Sequence, residues 1–133
     1  MSVLLDTRIW ISWLLDDGRL SAVERSELGR LADRGETALA AIRLWEVQLL
    51  QAKRRLTLDR PFDHWLRDTV APGVIDVLPL DAEVVIELER LPDSFHGDPA
   101  DRLIAATARA HALPLATHDA MIRRSRTVRL WKP

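Results

Sequence analysis

Residues 96–122 of the chain read HGDPADRLIAATARAHALPLATHDAMI, and this stretch indicates the fold. It predicts a helix that leads into a short buried strand, with acidic residues at both ends. Asp98 and Asp101 stand at the start of the helical run, and Asp119 follows the strand-like residues 114–117. Because the segment LIAATA after Asp101 is too apolar for a solvated helix, we expect this helix to be buried on most sides. The helix N-terminus compensates a buried carboxylate only in part, so a cation shared with other carboxylates would supply the rest.

Two further acids stand at positions that fit the same site. An apolar strand, residues 3–5, ends at Asp6, and Glu46 lies inside the apolar helical run of residues 42–50. In open α/β sheets, ligands bind at the carboxyl ends of the strands, beside the helix N-termini. Asp6 and Asp119 therefore occupy equivalent places, each just after a strand. Carboxylates that meet at strand ends form the oxygen-rich environment that a hard divalent ion requires.

The composition is that of one folded domain. The chain has 133 residues, of which 47% are hydrophobic, and this is enough for a packed core of ordinary size. It has no cysteine, which excludes a disulfide framework and a thiolate metal site and agrees with a reducing cytosol. No basic region followed by a long apolar run predicts a signal peptide or a membrane span. We expect a single cytoplasmic domain over residues 1–133 that does not contact a membrane.

The charged residues are unevenly placed, although the net charge is only −1. Residues 76–101 contain eight aspartates and glutamates and one arginine. Residues 102–133 contain seven arginines and lysines and one aspartate. A basic segment beside an acidic cluster could hold a polyanion against a metal site. A solvated charged surface is the alternative interpretation.

Apolar periodicity and the positions of glycine and proline predict strands that alternate with helices. This alternation favours one α/β domain, a mainly parallel central sheet flanked by helices. The predicted strands cover residues 2–5, 37–40, 74–78, 114–117 and 128–130. The predicted helices, with their N-cap residues, cover 7–15, 21–34, 41–55, 61–70, 81–91, 98–112 and 120–124.

Four short segments carry a family resemblance. They are LLDT at residues 4–7, LWE at 44–46, HGDPADRLIAATA at 96–108 and LATHD at 115–119. In their order and spacing they resemble the PIN-domain ribonucleases, and most closely the VapC-type toxins of prokaryotic toxin–antitoxin pairs. Each segment alone is a weak signal, but together they span nearly the whole chain.

The resemblance implies a mainly parallel sheet flanked by helices, with an acidic pocket that binds Mg²⁺ or Mn²⁺. The catalytic acids that it implies are Asp6, Glu46, Asp101 and Asp119. Asp98 belongs to the DPADR form of the motif and is expected close by, as a helix cap or an additional acid. Thr117 matches a hydroxyl that is often found beside the last acid. Arg8 is a departure, because many members have asparagine at this position.

For phosphodiester hydrolysis, a divalent ion held by carboxylates activates a water and stabilises charge on the phosphate and the leaving oxygen. We expect Asp6 and Asp101 to be direct metal ligands, and Asp119 to be a ligand directly or through water. Glu46 is expected to orient a bound water or to complete a second metal site. The predicted function is a Mg²⁺- or Mn²⁺-dependent endoribonuclease. By resemblance it is a toxin with an RNA substrate, a cognate antitoxin that inhibits it, and a homodimeric state.

Two further groups of residues are assigned to partners. The tail arginines expected to contact RNA phosphates are Arg123, Arg124 and Arg126. The antitoxins of this family lie in a groove and mask the acidic site, and the surplus apolar surface of the first helix favours such a groove. A partner groove around Trp10, Trp13 and Trp45 is a hypothesis, and plain core packing is the favoured interpretation for any one of these tryptophans.

Each acid also has an ordinary structural interpretation. Asp6, Asp98 and Asp101 could cap helices, and Asp119 could form an Asx turn, although their family order favours one site. The histidines lack a metal-ligand spacing, and the sequence has no Gly-rich phosphate loop. Two alternatives for the function stay open: a PIN-fold RNA-processing nuclease without an antitoxin, and a catalytically inactive PIN-like binding module.

Overall fold

The computed structural model of the chain describes residues 1–95 and 97–133, and in these residues strands alternate with helices. The strands are β1 (Val3–Leu5), β2 (Thr37–Ala40), β3 (Asp76–Leu78) and β4 (Leu115–Ala116). The helices are α1 (Thr7–Leu15), α2 (Ala22–Asp33), α3 (Ile42–Ala52), α4 (Phe62–Thr69), α5 (Ala82–Arg90), α6 (Pro99–Ala110) and α7 (Ala120–Ser125). The stretch quoted first begins at His96, which lies outside the described residues.

The four strands form one parallel sheet in the order β3-β2-β1-β4. Every residue of β1 is buried, as expected of a strand in a parallel sheet that is covered on both faces. The predicted α/β class, with a mainly parallel sheet flanked by helices, is confirmed. Leu5 at the end of β1 stands opposite Ala116 at the end of β4. Asp6 and Thr117, the next residues, therefore leave the sheet side by side.

The side chains of β1 alternate between two cores on opposite faces of the sheet. Leu5 belongs to the core that also contains Trp10 and Trp65, whose ring centroids lie 6.0 Å apart. Leu4 belongs to the other core, which contains the buried face of α6. Residues 104–108 of α6 are all buried, so this helix is embedded as its apolar sequence predicts.

The strand predicted at residues 128–130 does not form. In the described part of the chain, this segment pairs with β4 through a single bridge, between Leu130 and Leu115. Two hydrogen bonds make the bridge, from Leu115 N to Arg129 O at 2.8 Å and from Trp131 N to Leu115 O at 2.9 Å. Because β4 is only two residues long, it offers the segment too short an edge for a ladder of hydrogen bonds.

Two predicted helices end earlier than expected. α3 ends at Ala52 and α6 at Ala110, whereas the predicted ends are residues 55 and 112. The backbone is left-handed at Arg54, with φ 56°, and at Ala112, with φ 54°, and an α-helix cannot continue through that conformation. Within the described ranges, no helix is long and apolar enough to cross a membrane.

Candidate active site

The ends of β1 and β4 bring three predicted site residues together. Thr117 is buried, and its hydroxyl donates a hydrogen bond to Asp6 Oδ2 at 2.6 Å. The same hydroxyl oxygen accepts a hydrogen bond from the backbone N–H of Asp119 at 3.0 Å. Thr117 therefore connects the acid that follows β1 to the acid that follows β4.

All five predicted acids line one cavity of about 650 Å³, called the acidic cavity below. Asp6 and Asp119 reach it from the strand ends, Glu46 from α3, and Asp98 and Asp101 from the start of α6. The other residues that line it are Thr7, Arg8, Arg43, Leu49, Leu50, Lys53 and His118. The structure thus places the five acids at one site, and their catalytic roles stay a prediction.

Two of these acids also cap helices. Asp98 Oδ1 accepts hydrogen bonds from the backbone N–H groups of Ala100 at 2.9 Å and Asp101 at 3.2 Å. Asp119 Oδ1 accepts a hydrogen bond from the N–H of Ile122 at 2.9 Å. The cap expected as one interpretation of Asp98 is confirmed, whereas Asp119 caps α7 and does not form the plain Asx turn considered for it. Both caps lie on the wall of the acidic cavity.

Asp6 differs from Asp98 and Asp119, because its side chain does not cap a helix. It stands at the N-cap position of α1, but its carboxylate accepts no hydrogen bond from the backbone of that helix. Its backbone carbonyl instead accepts the N–H of Trp10 at 3.0 Å. The Asp6 side chain is only 10% exposed, and its carboxylate is held by Thr117. It therefore lies in the wall of the acidic cavity.

Arg43 is a site residue that the sequence predictions missed. Its Nη2 lies 3.1 Å from Asp6 Oδ1 and 3.6 Å from Asp101 Oδ1, and its Nη1 contacts Glu46 Oε1. Only 2% of the Arg43 side chain is exposed. The available signal was its position three residues before Glu46, which places both on one face of an apolar helix. An arginine is buried in such a helix only when carboxylates compensate its charge.

The carboxylate oxygens of the cavity are the type of ligand that hard cations bind, so the cavity suits a divalent ion. Thr7 Oγ1 and Arg43 Nη2 are buried with no hydrogen-bond partner among residues 1–95 and 97–133, so polar atoms of the cavity wall are left unsatisfied. In the same residues, no three acidic or histidine side chains are arranged to hold a metal ion. The positive group between Asp6 and Asp101 is the guanidinium of Arg43.

Two exposed basic side chains lie on the wall of the acidic cavity, and three more are exposed near the C-terminus. Arg8, the residue that departs from the family pattern, lines the cavity together with Lys53, and both are exposed. Of the arginines predicted to contact RNA, Arg123 donates to the backbone carbonyl of Thr117 at 3.0 Å and so ties α7 to the end of β4. Arg123, Arg124 and Arg126 are all exposed. They are accessible to a polyanion, and their contact with RNA stays a prediction.

A polar contact attaches α2 to the edge of the cavity. His118 Nε2 lies 2.6 Å from Glu24 Oε2. Burial by itself raises the pKa of Glu24. The hydrogen bonds from Ser21 and His118, together with the charge of His118, outweigh that effect and hold the pKa of Glu24 below its ordinary value of 4.5. The residue that precedes Asp119 is therefore fixed to a helix on the opposite side of the site.

The tryptophans assigned to a partner groove lie in different environments. Trp10 is 1% exposed and packs in the core, which corrects its assignment to a surface groove. The apolar face of α1 that carries it is turned toward Trp65 on α4. Trp13 is partly buried against the same core, and Trp45 is 54% exposed. For Trp13 and Trp45 the assignment stays a prediction.

An apolar groove borders the acidic cavity, but the residues that line it do not include the three tryptophans. The groove has a volume of about 640 Å³ and lies between α1, α3 and the segment that follows α3. It shares Thr7, Arg8 and Leu50 with the acidic cavity. Its apolar wall consists of Ile11, Leu15, Leu50 and Leu56. The groove and the acidic cavity are therefore contiguous along α1 and α3.

Comparison with known proteins identifies the class to which this parallel sheet, with acids gathered at its strand ends, belongs. The family model of the PIN domain matches residues 3–126, and the chain belongs to the PIN-domain family. It is similar to Ribonuclease VapC22 of Mycobacterium tuberculosis (strain ATCC 25618 / H37Rv), with 36% identity over 125 residues. That match covers 94% of this chain and 92% of the relative. The resemblance to VapC-type PIN proteins is confirmed.

Solved structures share the fold. A chain in the crystal structure of VapBC2 from Rickettsia felis, bound to a DNA fragment from its promoter, matches with a TM-score of 0.74 and 18% identity over 98% of both chains. A chain in the crystal structure of FitAcB from Neisseria gonorrhoeae matches with a TM-score of 0.70 and 25% identity. This second match covers 98% of the present chain and 96% of the other.

The two hydrogen bonds of Thr117 predict a stability difference between two variants. Thr117→Val removes the donor to Asp6 and the acceptor for Asp119, and we expect it to lower the free energy of unfolding by about 1–3 kcal/mol. Thr117→Ser keeps the hydroxyl and loses one methyl group, so we expect it to cost about 0.8 kcal/mol. Urea denaturation measures both values. A valine variant as stable as the serine variant would contradict this role.

The lowered pKa of Glu24 predicts a pH-dependent contribution to stability. In the folded chain the pKa lies below 4.5, so the stabilisation is complete above that pH and is lost as the pH falls through the folded pKa. We expect the free energy of unfolding of Glu24→Gln to fall less steeply than that of the wild type as the pH is lowered below 4.5. Urea denaturation at a series of pH values tests this, and parallel curves would refute it.

Proposed function

We propose that the chain is an endoribonuclease that hydrolyses RNA phosphodiester bonds with Mg²⁺ or Mn²⁺. The observation that carries this proposal is the convergence of four carboxylates on one cavity, those of Asp6, Glu46, Asp101 and Asp119. These acids come from four different parts of a PIN-domain chain. The 36% identity to Ribonuclease VapC22 supports the same reaction.

Asp6 and Asp101 are the residues that we assign to hold the ion. Their Oδ1 atoms lie within 3.1 and 3.6 Å of the same nitrogen of Arg43, so both face one positively charged point. When bound there, a divalent ion would lower the pKa of a coordinated water and neutralise charge on the phosphate. Thr117 fixes Asp6 by donating to its other oxygen. Asp98 accepts the Asp101 N–H and so holds the first turn of α6 at the cavity.

Glu46 and Asp119 are assigned to the attacking water. The Glu46 side chain is 25% exposed, so it can reach and orient a water in the cavity. Oδ1 of Asp119 caps α7, and we therefore assign contact with the ion or its water to Oδ2. The two acids come from different elements, α3 and the segment that follows β4, and both line the cavity in which a phosphate would bind.

RNA is the proposed substrate because positive charge borders the acids. Arg8 and Lys53 lie on the cavity wall, where they can contact phosphates on either side of the scissile bond. Further exposed positive charge lies on α7 and at its C-cap, and we assign it to RNA phosphates as well; the residues are Arg123, Arg124 and Arg126. Contacts to phosphates position a nucleic acid without reading its bases, so this surface does not select a sequence.

Cleavage of folded total RNA by the purified chain tests the proposal. We expect cutting with Mg²⁺ or Mn²⁺ and none with a chelator. Asp6→Asn and Asp101→Asn each remove a carboxylate charge from the proposed ligand set, and we expect each to lower the rate by about 100-fold or more. Asp63→Asn is the matched control, because Asp63 is exposed on α4 and pairs with Arg67 away from the cavity.

Three results would revise the proposal. Full activity in Asp101→Asn would show that the cleavage does not use this cavity. Binding of RNA without cutting by the wild-type chain would favour a catalytically inactive binding module. Cutting that persists in chelator would contradict the metal dependence.

We further propose that the chain is the toxin of a toxin–antitoxin pair. The apolar groove beside the acidic cavity supports this role, because an antitoxin segment lying on Ile11, Leu15 and Leu50 would reach the acids and mask them. The likeness to a VapC protein supports it as well. The homodimer that the family implies stays a prediction.

Regulated expression in a bacterial host tests the toxin role. We expect the wild-type chain to stop growth, Asp101→Asn to leave growth unchanged, and Asp63→Asn to act like the wild type. Co-expression of a small DNA-binding protein encoded next to this chain should restore growth. Active cleavage in the test tube without arrest of growth, and with no such neighbouring protein, would favour an RNA-processing nuclease.

A further inference from the structure

Arg43 places a permanent positive charge inside the acidic cavity. Its guanidinium contacts three of the four proposed catalytic acids: Asp6, Glu46 and Asp101. The side chain is 2% exposed, so its charge is compensated by these carboxylates and hardly by water. The acids that we assign to a divalent ion are therefore already compensated in part by a cation of the chain itself.

Arg43 Nη1 donates a hydrogen bond to Glu46 Oε1, but the other two guanidinium nitrogens are not saturated. Arg43 Nε and Nη2 are buried and have no hydrogen-bond partner among residues 1–95 and 97–133. A buried ion pair that only braces the fold is normally saturated with hydrogen bonds, because each unsatisfied donor weakens it. Arg43 Nη2 instead lies between two carboxylate oxygens, attracted by charge without a directed bond to either.

We propose that Arg43 is the resident counter-cation of the acidic cavity, and that a divalent ion binds only in competition with it for Asp6, Glu46 and Asp101. This inference rests on the metal dependence proposed above. A carboxylate oxygen that ligates an ion cannot keep its contact with the guanidinium at full strength. Two cations that share the same acids also repel each other, and in a buried site water screens this repulsion only weakly.

The competition has two consequences. The chain without metal keeps its acids compensated, so its fold does not depend on an ion. The affinity for the ion is lower than the number of carboxylates alone would give. Because coupling between two bound groups is reciprocal, the ion must weaken the contacts of Arg43 as much as Arg43 weakens binding of the ion.

Calorimetric titration of the full chain with Mn²⁺ alone measures the first half of this coupling. Arg43→Met keeps an unbranched apolar stem and removes the charge, and we expect it to bind Mn²⁺ about tenfold or more tightly than the wild type. Arg8→Met is the matched control: the same change at an exposed residue of the same cavity. Solvent screens its charge, so we expect a change of about twofold or less.

A second measurement uses the wild-type chain and stays decisive if Arg43→Met fails to fold. The Nε–H signal of Arg43 is followed by NMR during titration with diamagnetic Mg²⁺, with the signal of Arg60 as the reference. Arg60 pairs with Asp59 and Asp68 at the surface. We expect the Arg43 signal to shift and its hydrogen exchange to quicken as the ion binds.

Each remaining outcome would overturn the inference. Equal Mn²⁺ affinities of the wild type and a folded Arg43→Met, or an unchanged Arg43 signal at saturating Mg²⁺, would show that the two cations do not compete. Weaker binding by a folded Arg43→Met would make Arg43 a positioning residue that holds the acids together. Absence of Mn²⁺ binding in all three proteins would overturn the metal dependence itself, and this inference with it.

Discussion

The pairing of β1 with β4 is the constraint on which the acidic cavity depends. Leu5 stands opposite Ala116, so the next residue of each strand leaves the sheet at the same point and Thr117 meets Asp6. Parallel strands must be joined by crossover connections, and these connections carry α3 and α6. Both helices begin at the same edge of the sheet. Glu46 and Asp101 are thereby brought to the acids that the strands already placed there.

So many carboxylates at one edge of a core require compensation, and the chain supplies it from several sources. Backbone N–H groups at the starts of α6 and α7 are bound by Asp98 and Asp119. The Thr117 hydroxyl serves Asp6, and the Arg43 guanidinium serves Asp6 and its neighbours. The result is a site whose carboxylates are compensated by groups of the chain itself.

The parts of the site that follow from local pattern could be predicted from the sequence. Asp6 and Asp119 each follow a short apolar strand, and the rule that such strand ends meet requires no knowledge of side-chain contacts. Arg43 was missed because its burial comes from acids on β1 and α6, which helical periodicity does not reveal. Trp10 was misjudged for a related reason, since only the position of α4 shows that its ring faces Trp65.

The last segment of the sheet shows the same limit. Residues 128–130 have the apolar character of a strand, but whether they pair depends on the length of the neighbour that they meet, and β4 has two residues. Edge pairing is set by the partner strand and is invisible in the segment's own sequence. The lengths of α3 and α6 were overestimated because left-handed backbone at Arg54 and Ala112 leaves no mark in the residue types.

The single bridge between Leu115 and Leu130 has a consequence for where the molecule would open first on heating. Two hydrogen bonds hold the outer edge of β4, whereas β1 is paired on both sides. Weakly held edges open locally at lower free energy than the centre of a sheet. Opening would therefore begin at residues 129–131, because Leu115 and Ala116 are buried and also pair with β1. Thr117 would remain beside Asp6 at that stage, so the strand ends that carry the acids would stay joined while the C-terminal segment detaches.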